Sequence, residues 1–154
     1  WPKDRIEKIY YTALLHDIGK IGIPDHILNK SGKLTGEEYA VIKTHTTIGY
    51  HILENMEIIL YIKDGAYYHH ERYDGKGYPV GLKGNAIPLV ARIICVADSF
   101  DAMYSKRIYR DQFDIDYIIN ELRCCSGTQF DPEISKVMLT LLLRGDILKG
   151  TDDS

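Results

Sequence analysis

The chain has 154 residues, 45% of them hydrophobic, and its 19 Lys and Arg against 22 Asp and Glu give a formal net charge of −3. That length makes one ordinary domain, able to bury roughly 68–70% of its unfolded surface, and the slight acidity argues against a nonspecific nucleic-acid binder, whose basic excess would be plain. No segment approaches a membrane span or a signal peptide, and the three cysteines form no Cys-x-x-Cys pair, so a reducing, cytoplasmic setting is expected.

Pattern and punctuation predict helices over 3–17, 36–55, 57–70, 88–104, 114–125 and 131–143, with a short helical turn around 24–28. In the first, Ile6, Ile9, Tyr10, Ala13 and Leu14 are spaced as a buried face. Lys30-Ser31-Gly32-Lys33 reads as a connecting loop. Thr35-Gly36-Glu37-Glu38 then has capping-box spacing and opens a helix on which Ile42, His45, Gly49 and Ile52 share a face. A charged, glycine-rich stretch over 72–87 leads to Pro88, placed as a first helical residue, and Ile94, Asp98 and Asp101 follow at i, i+4 and i+7. Ser126-Gly127-Thr128 stops the next helix, and Asp131-Pro132-Glu133 starts the last with an N-cap and proline at N1. Beyond Arg144 the periodicity is lost and fraying is expected.

Two strings carry the chemistry. His16-Asp17-Ile18-Gly19-Lys20 places an ionisable pair at the inner end of an apolar stripe. Burying such a pair bare costs several kcal/mol, so it must be paired, hydrogen-bonded or metal-bound. A helix C-terminus also favours a cation, whether a metal or Lys20. His69-His70-Glu71-Arg72-Tyr73-Asp74-Gly75-Lys76-Gly77-Tyr78-Pro79 ends a helix on adjacent histidines, then turns through a glycine-punctuated loop. Neighbouring helical side chains point about 100° apart, so the pair can ligate two metals, or one metal and a substrate. Singly, each feature has a plainer reading: a solvated loop, a hydrogen-bonded core His45, a helix cap or surface pair at Asp98 and Asp101. Together, His and Asp residues brought to apolar faces of separate helices supply what a two-metal site requires.

The order of these pieces resembles the HD-GYP subgroup of the HD phosphohydrolases. It runs from His16-Asp17-Ile18-Gly19-Lys20 through His45 with Ile48-Gly49 and the Gly-Tyr-Pro string to Val96-Ala97-Asp98-Ser99-Phe100-Asp101-Ala102. The likeness continues through Arg107-Ile108-Tyr109-Arg110 and Gly127-Thr128-Gln129-Phe130-Asp131-Pro132, covering nearly the whole chain. It implies an all-α, compact HD-domain helical bundle with a metal site between helices, and a metal-dependent phosphodiesterase opening cyclic di-GMP to pGpG or GMP. His16, Asp17, His45, His69, His70 and Asp98 match metal ligands, with Asp17 bridging two ions, and Lys20 matches a lysine contacting the scissile phosphate. Tyr78, Arg107 and Arg110 match positions that hold the dinucleotide, and Asp101 matches a second carboxylate near the site. Without the resemblance, the arginines read equally as solvated and Tyr78 as a packing residue.

Two divalent metals, or three, are the implied cofactors; mixed imidazole and carboxylate ligation suits iron or manganese, and zinc next. Implied partners are cyclic di-GMP, a second copy of the chain, and linked diguanylate cyclase or sensor domains, with neither DNA nor membrane engaged by this chain. One departure stands out: the family carries a further metal-binding histidine on a helix before the first motif, and none precedes His16. Residues 1–154 are therefore expected to form a single HD-GYP domain truncated at its N-terminus, with its first helix missing. The alternatives are a hydrolase of another nucleotide and a catalytically weakened cyclic-dinucleotide sensor or protein-interaction domain.

Overall fold

A computed structural model describes residues 1–56, 61–105 and 115–147. Helix α1 (Lys3–Leu15) runs into a 3₁₀ turn at Ile18–Gly22, then the short α2 (Asp25–Leu28). Next come α3 (Gly36–Lys43), α4 (His45–Leu53), α5 (Ile62–Tyr68), α6 (Leu89–Ser105), α7 (Ile115–Cys124) and α8 (Pro132–Leu143). Among the described residues there is no strand, only an isolated bridge between Ser126 and Phe130. The all-α class expected from the sequence holds.

The local signals account for most boundaries. At α3, Thr35 accepts from the Glu38 amide at 3.2 Å while the Glu38 carboxylate takes the Thr35 amide at 2.7 Å, closing the capping box. Asp131 caps α8 by accepting from the Glu133 and Ile134 amides, with Pro132 at N1. Pro88 falls one residue before α6, where its carbonyl accepts from the Arg92 amide. The predicted 57–70 helix begins, among described residues, at Ile62; residues 57–60, Asp114 and most of the tail lie outside them.

Two expectations need correction. The predicted 36–55 helix is broken at Thr44. Thr44 and Thr46 hydroxyls donate to the Val41 and Lys43 carbonyls, and the His45 Nδ1 sits 2.7 Å from the Ile42 carbonyl. Three consecutive side chains thus compete for carbonyls three residues back, which tightens and bends the chain there. Within α4, Leu53 is buried rather than Ile52, which is 45% exposed.

The buried face of α1 also differs from the expected one. Thr12 is fully buried and Ile9 and Ala13 are half-buried, whereas Ile6, Tyr10 and Leu14 are exposed. The residues combined two stripes, 6–10–14 and 9–13, and packing selected the one carrying His16. Thr12 fixes this choice by seating against Gly65 of α5.

The core has two parts. Leu53, Ile62 and Ala66 pack with Leu15 and Ile18 among α1, α4 and α5. Cys95, Val96, Phe100, Ile118, Leu122, Phe130 and Leu142 pack among α6, α7, α8 and the turn before α8. Each wholly buried Leu, Ile, Val or Phe contributes about 1.5–3 kcal/mol. α6 packs against α1 and α5 as well as α7 and α8, which places its Asp98 beside the end of α1.

Candidate metal centre

Four segments deliver the donors: the α1 C-terminus, the start of α4, the end of α5 and the middle of α6. Close approach of the 3₁₀ turn to α4 is possible because residue 19 is glycine. A Cβ there would lie 1.9 Å from the His45 carbonyl oxygen and 2.5 Å from the Gly49 nitrogen. This contact sets Asp17 beside His45.

Asp17, His45, His69 and His70 each offer a ligand atom within 4.8 Å of the others. Nε2 of His45 and Nε2 of His69 are 3.3 Å apart, and Asp17 Oδ1 lies 3.4 and 3.7 Å from them. The other ring nitrogens face backbone carbonyls: His16 Nδ1 to Ala13 at 2.5 Å, His45 Nδ1 to Ile42, and His69 Nδ1 to Gly65 and Ala66 at 3.1 and 3.0 Å. A carbonyl can only accept, so each of these Nδ1 atoms carries a proton, and the Nε2 atoms of His45 and His69 are left to present lone pairs to the cluster.

His16 and Asp98 form a second group on the same carboxylate. His16 Nε2 is 3.3 Å from Asp17 Oδ2 and 3.6 Å from Asp98 Oδ1. It is buried and makes no well-directed hydrogen bond. Asp17 therefore stands between two sets of donors, with Lys20 also paired to its Oδ2.

The electrostatics divide the histidines. Burial, reinforced by the neighbouring imidazoles, pushes His69 down to about 3 and His70 to about 4, and burial lowers His45 too. All three are neutral at pH 7. Burial also opposes charge on His16, but Asp17, Asp98 and the Ala13 carbonyl outweigh it and lift its pKa to about 10. Asp17 is driven well below the carboxylate range, since His16 and Lys20 overcome the cost of its burial, and Asp98 is lowered chiefly by His16. A proton on His16 thus supplies positive charge among converging lone pairs and carboxylates. That donor set fits a divalent cation.

Beside the cluster lies a cavity of about 430 Å³ lined by Tyr39, His69, His70, Arg72, Lys76, Tyr78, Asp98, Ser99 and Gln129, among others. Tyr78 lies against His70, with ring centroids 4.7 Å apart and planes 24° from parallel. Its loop folds back tightly: a Cβ at Gly77 would lie 2.3 Å from the Arg72 nitrogen. The structure thus brings His16, Asp17, His45, His69, His70, Asp98, Lys20 and Tyr78 to one place. Asp101 is exposed on α6 and does not line the cavity, and Arg107 and Arg110 lie outside the described residues.

Sequence reasoning passed over Glu71, which is 2% exposed and accepts from the Val80 and Gly81 amides. It also passed over Arg72, whose guanidinium joins Asp74 to Gln129. Glu71 and Arg72 directly follow the paired histidines, but only the folded loop shows what they hold. Tyr39 and Lys43 carried a weaker signal, their i, i+4 spacing on α3.

Helices closing around a buried set of imidazoles and carboxylates define the class: an all-α domain with a metal-type centre. A family model described as HD domain matches residues 1–134. A cyclic di-GMP phosphodiesterase of Thermotoga maritima is 47% identical over 138 residues, 88% of this chain and 38% of that protein. The cyclic di-GMP phosphodiesterase response regulator RpfG of Xanthomonas campestris is 46% identical, over 89% of this chain and 37% of that protein. A 3'3'-cGAMP-specific phosphodiesterase 2 of Vibrio cholerae is 41% identical, over 86% of this chain and 26% of that protein. The chain therefore spans well under half the length of these relatives. The solved structure of a cyclic GMP-AMP specific phosphodiesterase of V. cholerae shares the fold, with a TM-score of 0.76 and 23% identity over 100% of this chain and 42% of that one. The chain belongs to the HD domain family, in its HD-GYP group.

Proposed function

We propose that residues 1–154 form one HD-GYP domain that hydrolyses cyclic di-GMP to pGpG or GMP in a metal-dependent reaction. The observation that carries this reading is the convergence of one ligand atom each from Asp17, His45, His69 and His70 within 4.8 Å of one another, next to a cavity of small-molecule size. The relatives named for cyclic dinucleotides support the substrate class.

His45, His69 and His70 would hold one divalent ion with Asp17 Oδ1, and His16 and Asp98 a second with Oδ2, iron or manganese before zinc. Bound there, such ions supply Lewis-acid charge and acidify water. Lys20, beside Asp17, is placed to stabilise charge developing on the phosphate. Burial raises the Tyr78 phenol, which keeps it a neutral donor at the cavity wall. Arg107 and Arg110 are proposed to grip the dinucleotide, and Asp101 to serve as a second carboxylate near the site. Three free cysteines support a cytoplasmic setting, and no helix among the described residues is long and apolar enough to cross a membrane.

A second reading, 3'3'-cGAMP as substrate, is favoured by the relative named for that dinucleotide. Metal analysis of the purified protein, paired with turnover of both dinucleotides by protein loaded with iron, manganese or zinc, tests the proposal. Metal-loaded protein that hydrolyses neither would overturn it.

A further inference from the structure

The cavity beside the metal centre has an aromatic corner that the metal-site reading leaves unused. Tyr39 and Lys43 lie one turn apart on α3 and so share a face. The Tyr39 ring meets Tyr78 edge-on, with centroids 6.5 Å apart and planes at 81°. The Lys43 ammonium stands 5.1 Å from the Tyr39 centroid and 5.7 Å from that of Tyr78. Among the described residues no carboxylate pairs with it. Tyr39 is 47% exposed yet lines the cavity, so part of this residue is open to a ligand rather than spent on the core.

Building on the cyclic-dinucleotide reading, we propose that Tyr39 and Lys43, with Tyr78, form a docking corner for one guanine base. Stacking on a tyrosine ring is open to every base because each has a π face. Selection therefore falls to Lys43. Its ammonium offers donors only, which suit the adjacent O6 and N7 acceptors of guanine. Adenine presents an N6 amino donor where guanine has O6, so the same ammonium meets a donor there. A lysine held over two rings by cation–π attraction alone can turn toward such acceptors at little cost. Cyclic di-GMP and 3'3'-cGAMP each carry at least one guanine, and one guanine is all this corner reads.

The test is calorimetric binding of cyclic di-GMP, 3'3'-cGAMP and cyclic di-AMP to the metal-stripped protein, for wild type, Tyr39→Ala, Tyr39→Phe and Lys43→Met. Melting temperature and metal uptake of each variant establish that the fold and the metal centre persist. Wild type should bind the two guanine-containing dinucleotides more tightly than cyclic di-AMP. Tyr39→Ala should weaken cyclic di-GMP about tenfold, while Tyr39→Phe, which keeps the ring, stays near wild type. Lys43→Met should narrow the preference over cyclic di-AMP. Wild-type affinity in folded Tyr39→Ala, an equal loss in Tyr39→Phe, or an unchanged preference in Lys43→Met would each overturn the corner. Those results leave metal-dependent turnover by the wild type intact. Failure of the broader reading looks different: the wild type neither binds nor, when metal-loaded, hydrolyses any cyclic dinucleotide.

Discussion

Glu71→Ala should loosen the loop that carries Tyr78 without dispersing the helices. The Glu71 carboxylate is 2% exposed and accepts from the Val80 amide at 2.8 Å and the Gly81 amide at 3.0 Å to each oxygen. Hydrogen bonds to a charged group contribute about 1.5–3 kcal/mol each. Val80 is 55% exposed, so water can reclaim part of what alanine abandons, and the low end applies to both amides. The expected loss is about 3 kcal/mol, which lowers Tm by about 6–12 °C for a domain of this size. Glu71→Gln keeps one acceptor oxygen and should cost about half as much. Thermal melting gives the stability, and amide hydrogen exchange at Val80 and Gly81 localises it, since these amides should exchange faster while those of α6 keep their order of protection. A Tm drop below about 2 °C, with exchange at both amides unchanged, would show that the clasp restrains nothing.

Three further outcomes are expected. Asp17→Ala should abolish turnover and lower metal content, because the side chain lies between both donor groups; wild-type metal stoichiometry in elemental analysis would refute its bridging position. Lys20→Ala should lose turnover while keeping metal, and loss of metal in the same assay would recast Lys20 as a structural counter-charge. Asp74→Asn tests acid sensitivity: hydrogen bonds from Arg72 are the chief cause holding the Asp74 carboxyl at about 2, below its ordinary 3.8. The folded pKa is depressed, so the pair stabilises fully above 3.8 and its contribution is lost as pH falls through about 2. The Tm gap between wild type and variant should therefore be widest near neutrality and close across that acid window, and a gap independent of pH would count against the pair.

Elements whose causes are local can be read directly from the residues. Thr35 with Glu38, and Asp131 ahead of a proline that has no N–H to satisfy, pair helix-end amides from within three residues, so their caps were legible before any fold. The adjacent His69 and His70 and the His16-Asp17 pair were legible for a different reason: ionisable groups at the ends of apolar helices need partners wherever those helices pack. What the sequence left open is what depends on helix orientation. Two apolar stripes competed for the buried face of α1, and only the seating of Thr12 on Gly65 chose the one that turns His16 inward. Thr44 looked compatible with one long helix until its neighbours' side chains took the carbonyls behind them. Glu71 read as one more charge in a polar loop, and it became a buried acceptor only when that loop folded back over it. Periodicity reports which residues can share a face, but which face is buried, and which donors meet across helices, is set by contacts between residues far apart in the chain.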